Sequence, residues 1–370
     1  MPQQVVQKLH RNALLVLQDG TVFKGKAIGK EGTTTGEICF NTSMTGYQEI
    51  FTDPSYFGQI IVMTNDHMGN YGTHAAEVES AHGKISGLVC KKFSPGFSRL
   101  QAEKSLQQWL DDTPLTGICD IDTRALVIHI RQSGAQNALI SSETEDVDYL
   151  KKQLAAVPDM NGLDLAIQVS TKDAYDFGTD VSPMRVAVLD CGVKRSILAC
   201  MAERGMFCRI FPVGTSFAEM EQWRPDGYFI SNGPGDPAAM PYAVHTVKDI
   251  QDSGKPVFGI CLGHQLLSLA NGLETYKMHH GHRGGNHPVQ NLITGKSEIT
   301  AQNHGFAVRM PEGVTQDKVR VTHINLNDQT VEGIEVIGKK AFSVQYHPES
   351  SPGPHDSRYL FDQFVSLLKS

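Results

Sequence analysis

Residues 256–271 read PVFGICLGHQLLSLAN, and this stretch indicates the fold of the second half of the chain. An apolar run ends at Ile260, and apolar residues then recur at helical spacing, so the stretch predicts a strand that turns directly into a helix. Cys261 lies at the turn, between Gly259 and Gly263. This Gly-x-Cys-x-Gly spacing is typical of a nucleophile elbow in which cysteine replaces the usual serine.

The segments around this turn repeat the same pattern from residue 185 to residue 370. Apolar runs such as RVAVLDCG, FCRIFPVG and GYFISNGPG alternate with amphipathic segments such as VKRSILACMAERG. This alternation predicts an α/β domain, with a doubly wound, mostly parallel sheet covered by helices on both faces. Ligands of such sheets bind at the carboxyl ends of the strands, where Cys261 falls.

The first half of the chain has a different pattern. Asp19 and Gly20 stand between two alternating apolar runs, which is a strong hairpin signal. Residues 122–134, DTRALVIHIRQSG, have helical spacing with Asp122 or Thr123 as the cap. We therefore predict a strand-rich α+β domain over residues 1–170, a polar linker over 171–184, and the α/β domain over 185–370.

Composition excludes several classes of protein. The 370 residues carry a net charge of −7 without a basic, aromatic-interleaved cluster, so we expect no nucleic-acid partner. The N-terminal twenty residues hold an apolar run of only five, which predicts neither a signal peptide nor a membrane span and favours a cytoplasmic location. The seven cysteines include no CxxC pair, so neither a disulfide framework nor a zinc ribbon is expected.

A nucleophilic thiol needs a base and a group that orients this base. In AFSVQYHPES, residues 341–350, His347 follows an apolar run, and Glu349 stands two residues later across a proline. Because an extended segment points alternate side chains to one side, Glu349 can support the His347 ring. Amide donors for an oxyanion could come from Leu262 and from the SNGPGDP loop, where Gly233 and Gly235 permit close backbone approach. The alternatives are a buried structural cysteine and two ordinary turns.

Taken together, GICLGHQ, SNGPGDP and QYHPES resemble the class I glutamine amidotransferases, which hydrolyse glutamine to release ammonia. The resemblance implies that Cys261 is the nucleophile, His347 the general base and acid, and Glu349 the orienting carboxylate.

Four further segments resemble the small, glutaminase subunit of carbamoyl phosphate synthetases: TGEICFNTSMTGYQEIFTDPSY, DIDTRALVIHIRQSGAQNALI, GHRGGNHPV and ITAQNHGFAV. This resemblance implies oxyanion donation by the amides of Gly233 and Leu262. It also implies a set of residues that contact L-glutamine, namely Ser43, Gly233, Gly235, Leu262, Gln265, Asn303, Gly305 and Phe306.

The same resemblance implies a partner, a large synthetase subunit that binds ATP, a divalent metal and bicarbonate and receives the ammonia. The product, carbamoyl phosphate, would serve arginine and pyrimidine biosynthesis, and no cofactor is expected on this chain. Two alternatives remain open, a glutaminase for another synthase, such as one for anthranilate or GMP, and a subunit with only a structural role.

The segment KMHHGHRGGNHPV contains His279, His280, His282 and His287, which raises the question of a metal site. No carboxylate or cysteine lies within the segment, and the spacing does not suit structural zinc, so we expect no metal. His304, in QNHGF, is expected to be a neighbour of the glutamine site rather than the base, since the sequence places no carboxylate beside it.

Overall fold

The computed structural model describes residues 11–310 and 317–370, and it divides into two compact units. The first unit ends at Asp159 and the second begins at Met160. The first ten residues, part of the N-terminal segment considered for a signal peptide, lie outside the described residues. Among the described residues, no helix has the length and apolar character needed to cross a bilayer.

The first unit is rich in strands, as the sequence predicts. A closed barrel has the strand order β1-β2-β8-β6-β4-β3-β9, and β5 pairs separately with β7. The strands are β1 (Asn12–Leu17), β2 (Val22–Gly29), β3 (Thr33–Asn41), β4 (Gln59–Met63), β5 (His67–Met68), β6 (Gly87–Val89), β7 (Lys92–Phe93), β8 (Thr116–Cys119) and β9 (Gln136–Ser141). The helices are α1 (Tyr47–Thr52), α2 (Leu106–Asp112), α3 (Thr123–Ser133) and α4 (Val147–Leu154), with a 3₁₀ turn at Pro54–Tyr56.

Two local predictions for this unit are confirmed. β1 and β2 form the expected hairpin, with Val16 opposite Val22 and Gly20 at a φ of 91°, a conformation that glycine adopts without strain. Helix α3 is capped by Asp122, whose Oδ1 accepts a hydrogen bond of 3.0 Å from the Ala125 amide.

The second unit contains one ten-stranded sheet with the order β10-β12-β11-β13-β14-β19-β18-β16-β15-β17. Its strands are β10 (Tyr175–Phe177), β11 (Met184–Asp190), β12 (Met206–Pro212), β13 (Gly227–Ile230), β14 (Val257–Ile260), β15 (Thr275–Asn291), β16 (Ser297–Val308), β17 (Val319–Asn325), β18 (Val331–Val336) and β19 (Ala341–Val344). Its helices are α5 (Ala166–Val169), α6 (Arg195–Ala202), α7 (Phe217–Gln222), α8 (Pro241–Asp252), α9 (Leu262–Ala270) and α10 (Tyr359–Leu368), with a 3₁₀ turn at Pro237–Ala239.

Only part of this sheet is parallel. The five adjacent strands β12, β11, β13, β14 and β19 pair in parallel, whereas β10 and the strands from β18 to β17 pair antiparallel. The expectation of a mostly parallel sheet therefore holds for the strands of the βα units, but it is wrong for the other half of the sheet, which is antiparallel. The segments that form β15 and β16 are polar and rich in histidine and glycine, so their sequence gives no strand pattern.

Alternate residues of the central strand β11 belong to different apolar clusters. Ala187 and Leu189 share a cluster with side chains of α7, α8 and α9. Val186 and Val188 share the other cluster with side chains of α6 and α10. Because successive strand residues point to opposite faces, both faces of β11 are buried under helices.

The boundary between the units lies earlier than the sequence suggests. Residues from Met160 onward belong to the second unit, and Tyr175–Phe177 forms strand β10 rather than part of a bare linker. The amide of Thr171 donates a 2.7 Å hydrogen bond to Asp190 at the end of β11. The predicted linker over 171–184 is corrected accordingly, because backbone pairing and polar contacts hold this polar segment against the sheet.

The turn from β14 into α9 requires both of its glycines. A Cβ on Gly263 would lie 2.1 Å from the Ile230 carbonyl oxygen of β13, and one on Gly259 would lie 2.8 Å from the Gly263 oxygen. Real Cβ atoms do not approach backbone oxygen so closely. The start of α9 can therefore pack against β13 only while these positions lack side chains.

Gly263→Ala should therefore lower the free energy of unfolding by at least about 1–3 kcal/mol, the usual cost of overpacking a tight contact. Gly214→Ala is the matched control, since no atom lies within 4 Å of its Cβ position, and its effect should stay within about 0.5 kcal/mol. Urea unfolding of both variants measures the difference. Equal stability of the two variants would contradict the steric argument.

Candidate functional site

Cys261 lies where β14 ends and α9 begins. It has a φ of 54° and a ψ of −103°, a strained conformation for a residue with a side chain. Its amide donates 2.9 Å to the Val344 carbonyl of β19, and its side chain is 2% exposed. The thiol lies 3.6 Å from the Asn303 carbonyl oxygen, so backbone contacts on both sides hold the sulfur in place.

His347 and Glu349 follow the next strand, β19. Because β14 and β19 are parallel neighbours with Ile260 opposite Val344, the residues after both strands reach the same edge of the sheet. The Nδ1 atom of His347 lies 2.8 Å from Oε1 of Glu349, and both side chains are buried. The pairing that the sequence predicts across Pro348 is therefore present.

The charges of this pair depend on one another. Burial alone lowers the pKa of His347, but Glu349 and the Cys261 thiol outweigh burial and raise this pKa well above its usual range. Nε2 of His347 is buried and makes no hydrogen bond of standard geometry to a described residue, although the thiol is near enough to contribute to this shift. The imidazole is therefore expected to hold its proton at neutral pH.

Lys194, which is not among the site residues that the sequence predicts, completes the group. Its Nζ lies 3.0 Å from Glu349 Oε1 and donates 2.8 Å to the Ser351 carbonyl. Burial alone raises the pKa of Glu349, but Lys194 and then His347 outweigh burial and hold it below its usual range. Its position shortly after an apolar strand is the one feature of the sequence that could have indicated Lys194. The sequence does not show, however, that its side chain points inward.

The backbone at Gly233 packs against Cys191 and against the side chain of Leu262. A Cβ on Gly233 would meet the Cys191 carbonyl oxygen at 2.1 Å and the Leu262 side chain at 2.9 Å, so this backbone packs tightly against the elbow. Neither the Gly233 N–H nor the Leu262 N–H donates to an acceptor within the described part of the chain. Gly235, at a φ of 97°, packs instead against the backbone of Leu163 and Leu165.

Four further residues of the second unit are predicted to contact glutamine: Gln265, Asn303, Gly305 and Phe306. Three of them, all but Gly305, make hydrogen bonds to one another or contact the thiol. Gln265 Nε2 donates to the Phe306 carbonyl at 2.9 Å and to Gln345 Oε1 at 3.0 Å. Asn303 contacts the thiol through its carbonyl, as described above. Gly305 lies between Asn303 and Phe306 on β16, so the structure brings α9, β16 and the thiol together.

Ser43 belongs to the first unit. It lies between β3 and α1, and its amide donates 2.7 Å to the Asn41 side chain. Its assignment to the glutamine site stays a prediction.

Carboxylates from elsewhere in the chain lie beside the histidine-rich segment. His282 Nε2 lies 2.9 Å from Asp328 Oδ2, and its Nδ1 lies 3.6 Å from Glu332 Oε1. Burial lowers the pKa of His282, but Asp328 and Glu332 outweigh burial and raise it to about 9. The resulting imidazolium offsets one of the two negative charges, and the expectation of no metal stays a prediction.

The expectation that His304 lacks a nearby carboxylate is wrong. Potential ligand atoms of His304, His282 and Glu332 all lie within 4.8 Å of one another. Even so, burial holds the pKa of His304 well below its usual range, and its two nitrogens lie 2.7 Å from the Phe306 carbonyl and 3.0 Å from Gln302 Oε1. A neutral ring with both nitrogens in contact is poorly placed to act as the base.

Comparison with known proteins agrees with this geometry. Residues 187–367 match the family model for class-I glutamine amidotransferases, and residues 15–140 match the CPSase domain of the carbamoyl-phosphate synthase small chain. The protein named carbamoyl phosphate synthase small chain in Chlorobaculum tepidum is 47% identical over 359 residues, which cover 96% of this chain and 98% of that protein. The chain belongs to the carbamoyl phosphate synthase small chain family.

Other members of the family match over similar lengths. The small chain of Pectobacterium atrosepticum is 45% identical over 97% of this chain and 98% of its own length. That of Synechocystis sp. is 45% identical over 96% of each chain. The likeness therefore spans both units of this family member, and the resemblance inferred from its motifs is confirmed.

Lys194→Met tests the buried charges of this small chain. The variant should lose about 3 kcal/mol of stability at pH 7, because it removes one of the two cations that contact the buried Glu349 carboxylate. The folded pKa of Glu349 lies below its unfolded value of about 4.3, so its ionic stabilisation is present above that pH and is lost as the pH falls. Urea unfolding should therefore show a smaller difference between wild type and variant at pH 4 than at pH 7.

Lys248→Met is the matched control, since Lys248 is half exposed and lies 3.7 Å from Asp252. Its effect should stay below about 1 kcal/mol at both pH values. A loss for Lys194→Met that is no larger than the control's would show that Glu349 does not depend on Lys194.

Proposed function

We propose that this chain is the glutamine-hydrolysing subunit of a carbamoyl phosphate synthase, with Cys261, His347 and Glu349 as its catalytic residues. The observation that carries the proposal is a buried thiol at a strained strand–helix turn, beside an imidazole that Glu349 holds protonated. A structural cysteine requires neither the strained backbone nor the charged neighbours.

The first half of the reaction forms a thioester. The Cys261 thiolate, whose proton resides on His347, attacks the side-chain carbonyl carbon of glutamine. The developing oxyanion accepts hydrogen bonds from the amides of Gly233 and Leu262. The imidazolium then gives its proton to the departing nitrogen, the C–N bond breaks, and ammonia leaves a glutamyl thioester on Cys261.

The second half reverses these roles. His347 takes a proton from water, the resulting hydroxide attacks the thioester carbonyl, and the same two amides stabilise the second oxyanion. The C–S bond breaks, glutamate leaves, and the thiolate–imidazolium pair is restored. Glu349 stays ionised throughout and stabilises the charged ring.

The glutamine-binding residues are proposed from the resemblance, with partial support from the fold. Gln265, Asn303, Gly305 and Phe306 lie on α9 and β16, the two elements that meet at the thiol. Gly233, Gly235 and Leu262 would contact glutamine through their backbone. Ser43, in the first unit, is assigned by the resemblance alone.

The partner would be a large synthetase subunit that carries ATP, a divalent metal and bicarbonate, so that this chain needs no cofactor. Ammonia released into water at neutral pH becomes mostly ammonium and loses its nucleophilicity, which favours transfer inside a complex. The product would enter arginine and pyrimidine biosynthesis.

The proposal also includes a cytoplasmic location and a doubly wound amidotransferase sheet. The helices on both faces of β11 support the doubly wound sheet.

The two alternatives have less support. The match of residues 15–140 to the CPSase small-chain domain argues against a glutaminase for an anthranilate or GMP synthase. The contacts among Lys194, Glu349 and His347 argue against a purely structural subunit, since buried charges have a desolvation cost that packing alone does not require.

Cys261→Ala should abolish glutamine-dependent carbamoyl phosphate synthesis by the complex, by at least about a thousandfold, because no other group can form the thioester. Synthesis from added ammonium salts should persist. Cys200→Ala, at another buried cysteine of the same unit, is the matched control and should retain both activities. Loss of both activities in Cys261→Ala would instead assign the residue a structural role.

Glu349→Gln should move the alkaline limb of kcat/KM for glutamine to lower pH by about one unit or more. The carboxylate favours the imidazolium form, so a neutral amide lowers the pKa of His347 and the ring loses its proton earlier as the pH rises. Glu335→Gln, whose carboxylate pairs with Arg320, should leave the limb in place. An unchanged limb in Glu349→Gln would mean that the limb does not report His347.

A further inference from the structure

Helix α3 of the first unit borders a cleft of about 470 Å³ that the proposed chemistry does not use. The side chains that line it come from α3, from the segment after β4 and from the segment after β6. We call it the α3 cleft, and its charged and apolar lining residues are Asp66, Lys91, Arg124, Val127, Ile128 and Arg131.

The exposed face of α3 has an unusual composition. Arg124, Ile128 and Arg131 stand at spacings of four and three residues, so they share one side of the helix. Leu126 and Ile130 are fully buried on the opposite side, where they hold the helix to the barrel. Ile128 is nevertheless 45% exposed, so this helix has an apolar side chain between two guanidinium groups on its solvent side.

The cleft is also positive within an acidic chain. The net charge of the chain is −7, yet the cleft contains three cationic side chains and one carboxylate. Asp66 is already paired with Lys91 at 3.1 Å. Arg124 makes no ion pair or hydrogen bond with any residue in the described ranges, so its charge faces the cleft uncompensated.

We propose that the α3 cleft is a docking site for an acidic segment of the large synthetase subunit, with Arg124 pairing with a carboxylate of that segment and Ile128 packing against an apolar side chain. The inference rests on the proposed function, which supplies the partner. Arginine beside exposed apolar surface is typical of residues that dominate protein interfaces. A site for a small anion would not need the half-exposed isoleucine and the partly exposed Val127 on its rim.

Two variants separate the charge contribution from the apolar contribution. Arg124→Glu reverses a charge in the first turn of α3, where a carboxylate favours the helix, so the fold should be retained. Ile128→Gln removes the apolar contact at unchanged charge and good helix propensity. Lys152→Glu, at an exposed position of α4 outside the cleft, is the control with the same charge change as Arg124→Glu.

The full-length chain and its variants are titrated into the full-length large subunit of the same organism by calorimetry, at several salt concentrations. Both cleft variants should bind at least about tenfold more weakly than wild type, and Arg124→Glu should also flatten the salt dependence. Lys152→Glu should bind like wild type. All variants should retain the glutaminase activity of the isolated chain, which shows that the weaker binding is not due to unfolding.

Three outcomes would overturn the docking proposal. If both cleft variants bind like Lys152→Glu while wild type forms the complex, the interface lies elsewhere and the proposed function stands. If wild type does not bind the large subunit, the proposed function fails as well. If inorganic phosphate raises the melting temperature of wild type but not of Arg124→Glu, and assembly is unaffected, the cleft is an anion site.

Discussion

The buried carboxylate of Glu349 is the group on which the candidate site depends. It is inaccessible to solvent and contacts Lys194 on one side and His347 on the other. A carboxylate in that position is stable only while cations surround it, and a protonated imidazole in that position is stable only while the carboxylate is ionised. Each member therefore fixes the charge state of the next, from Lys194 to the ring beside the thiol.

The order of the strands brings these residues together. β11, β13, β14 and β19 are consecutive parallel strands, and the segments that follow them contain Lys194, Gly233, Cys261 and His347 respectively. The antiparallel strand β16 adds the Asn303 carbonyl beside the sulfur. A glycine contact fixes the start of α9, since Gly263 lies directly against the Ile230 carbonyl. The amide of Leu262 and the sulfur of Cys261 thus take their positions from the packing of the sheet, not from a flexible loop.

The sequence predicts those parts of the site that depend on local geometry. Gly-x-Cys-x-Gly describes a turn that only glycines permit, and His-Pro-Glu describes two side chains on one side of an extended segment, so both can be inferred from adjacent residues. Lys194 could not be inferred in this way, because its partner Glu349 is far along the chain and no local pattern shows a lysine that points inward. Asp328 and Glu332 cannot be placed beside His282 from the sequence for the same reason.

The fold shows the same division between local and distant information. The Asp19-Gly20 hairpin and the cap of α3 each depend on a few adjacent residues, so the sequence predicts both. The boundary at Asp159 and the antiparallel half of the second sheet depend on pairing between distant, polar segments, so periodicity does not reveal them. Polar composition predicts a linker where β10 in fact pairs with β12.

The protonation state of His347 tests the charge arrangement of the candidate site most directly. In a chain labelled with ¹⁵N-histidine, the His347 signals can be assigned by comparison with His347→Gln and followed as the pH rises. Both ring nitrogens should carry protons at pH 7.5 and keep them well above the ordinary histidine pKa of about 6.5. A neutral His347 ring at pH 7.5 would contradict this charge arrangement, since Glu349 would then not hold an imidazolium beside the thiol.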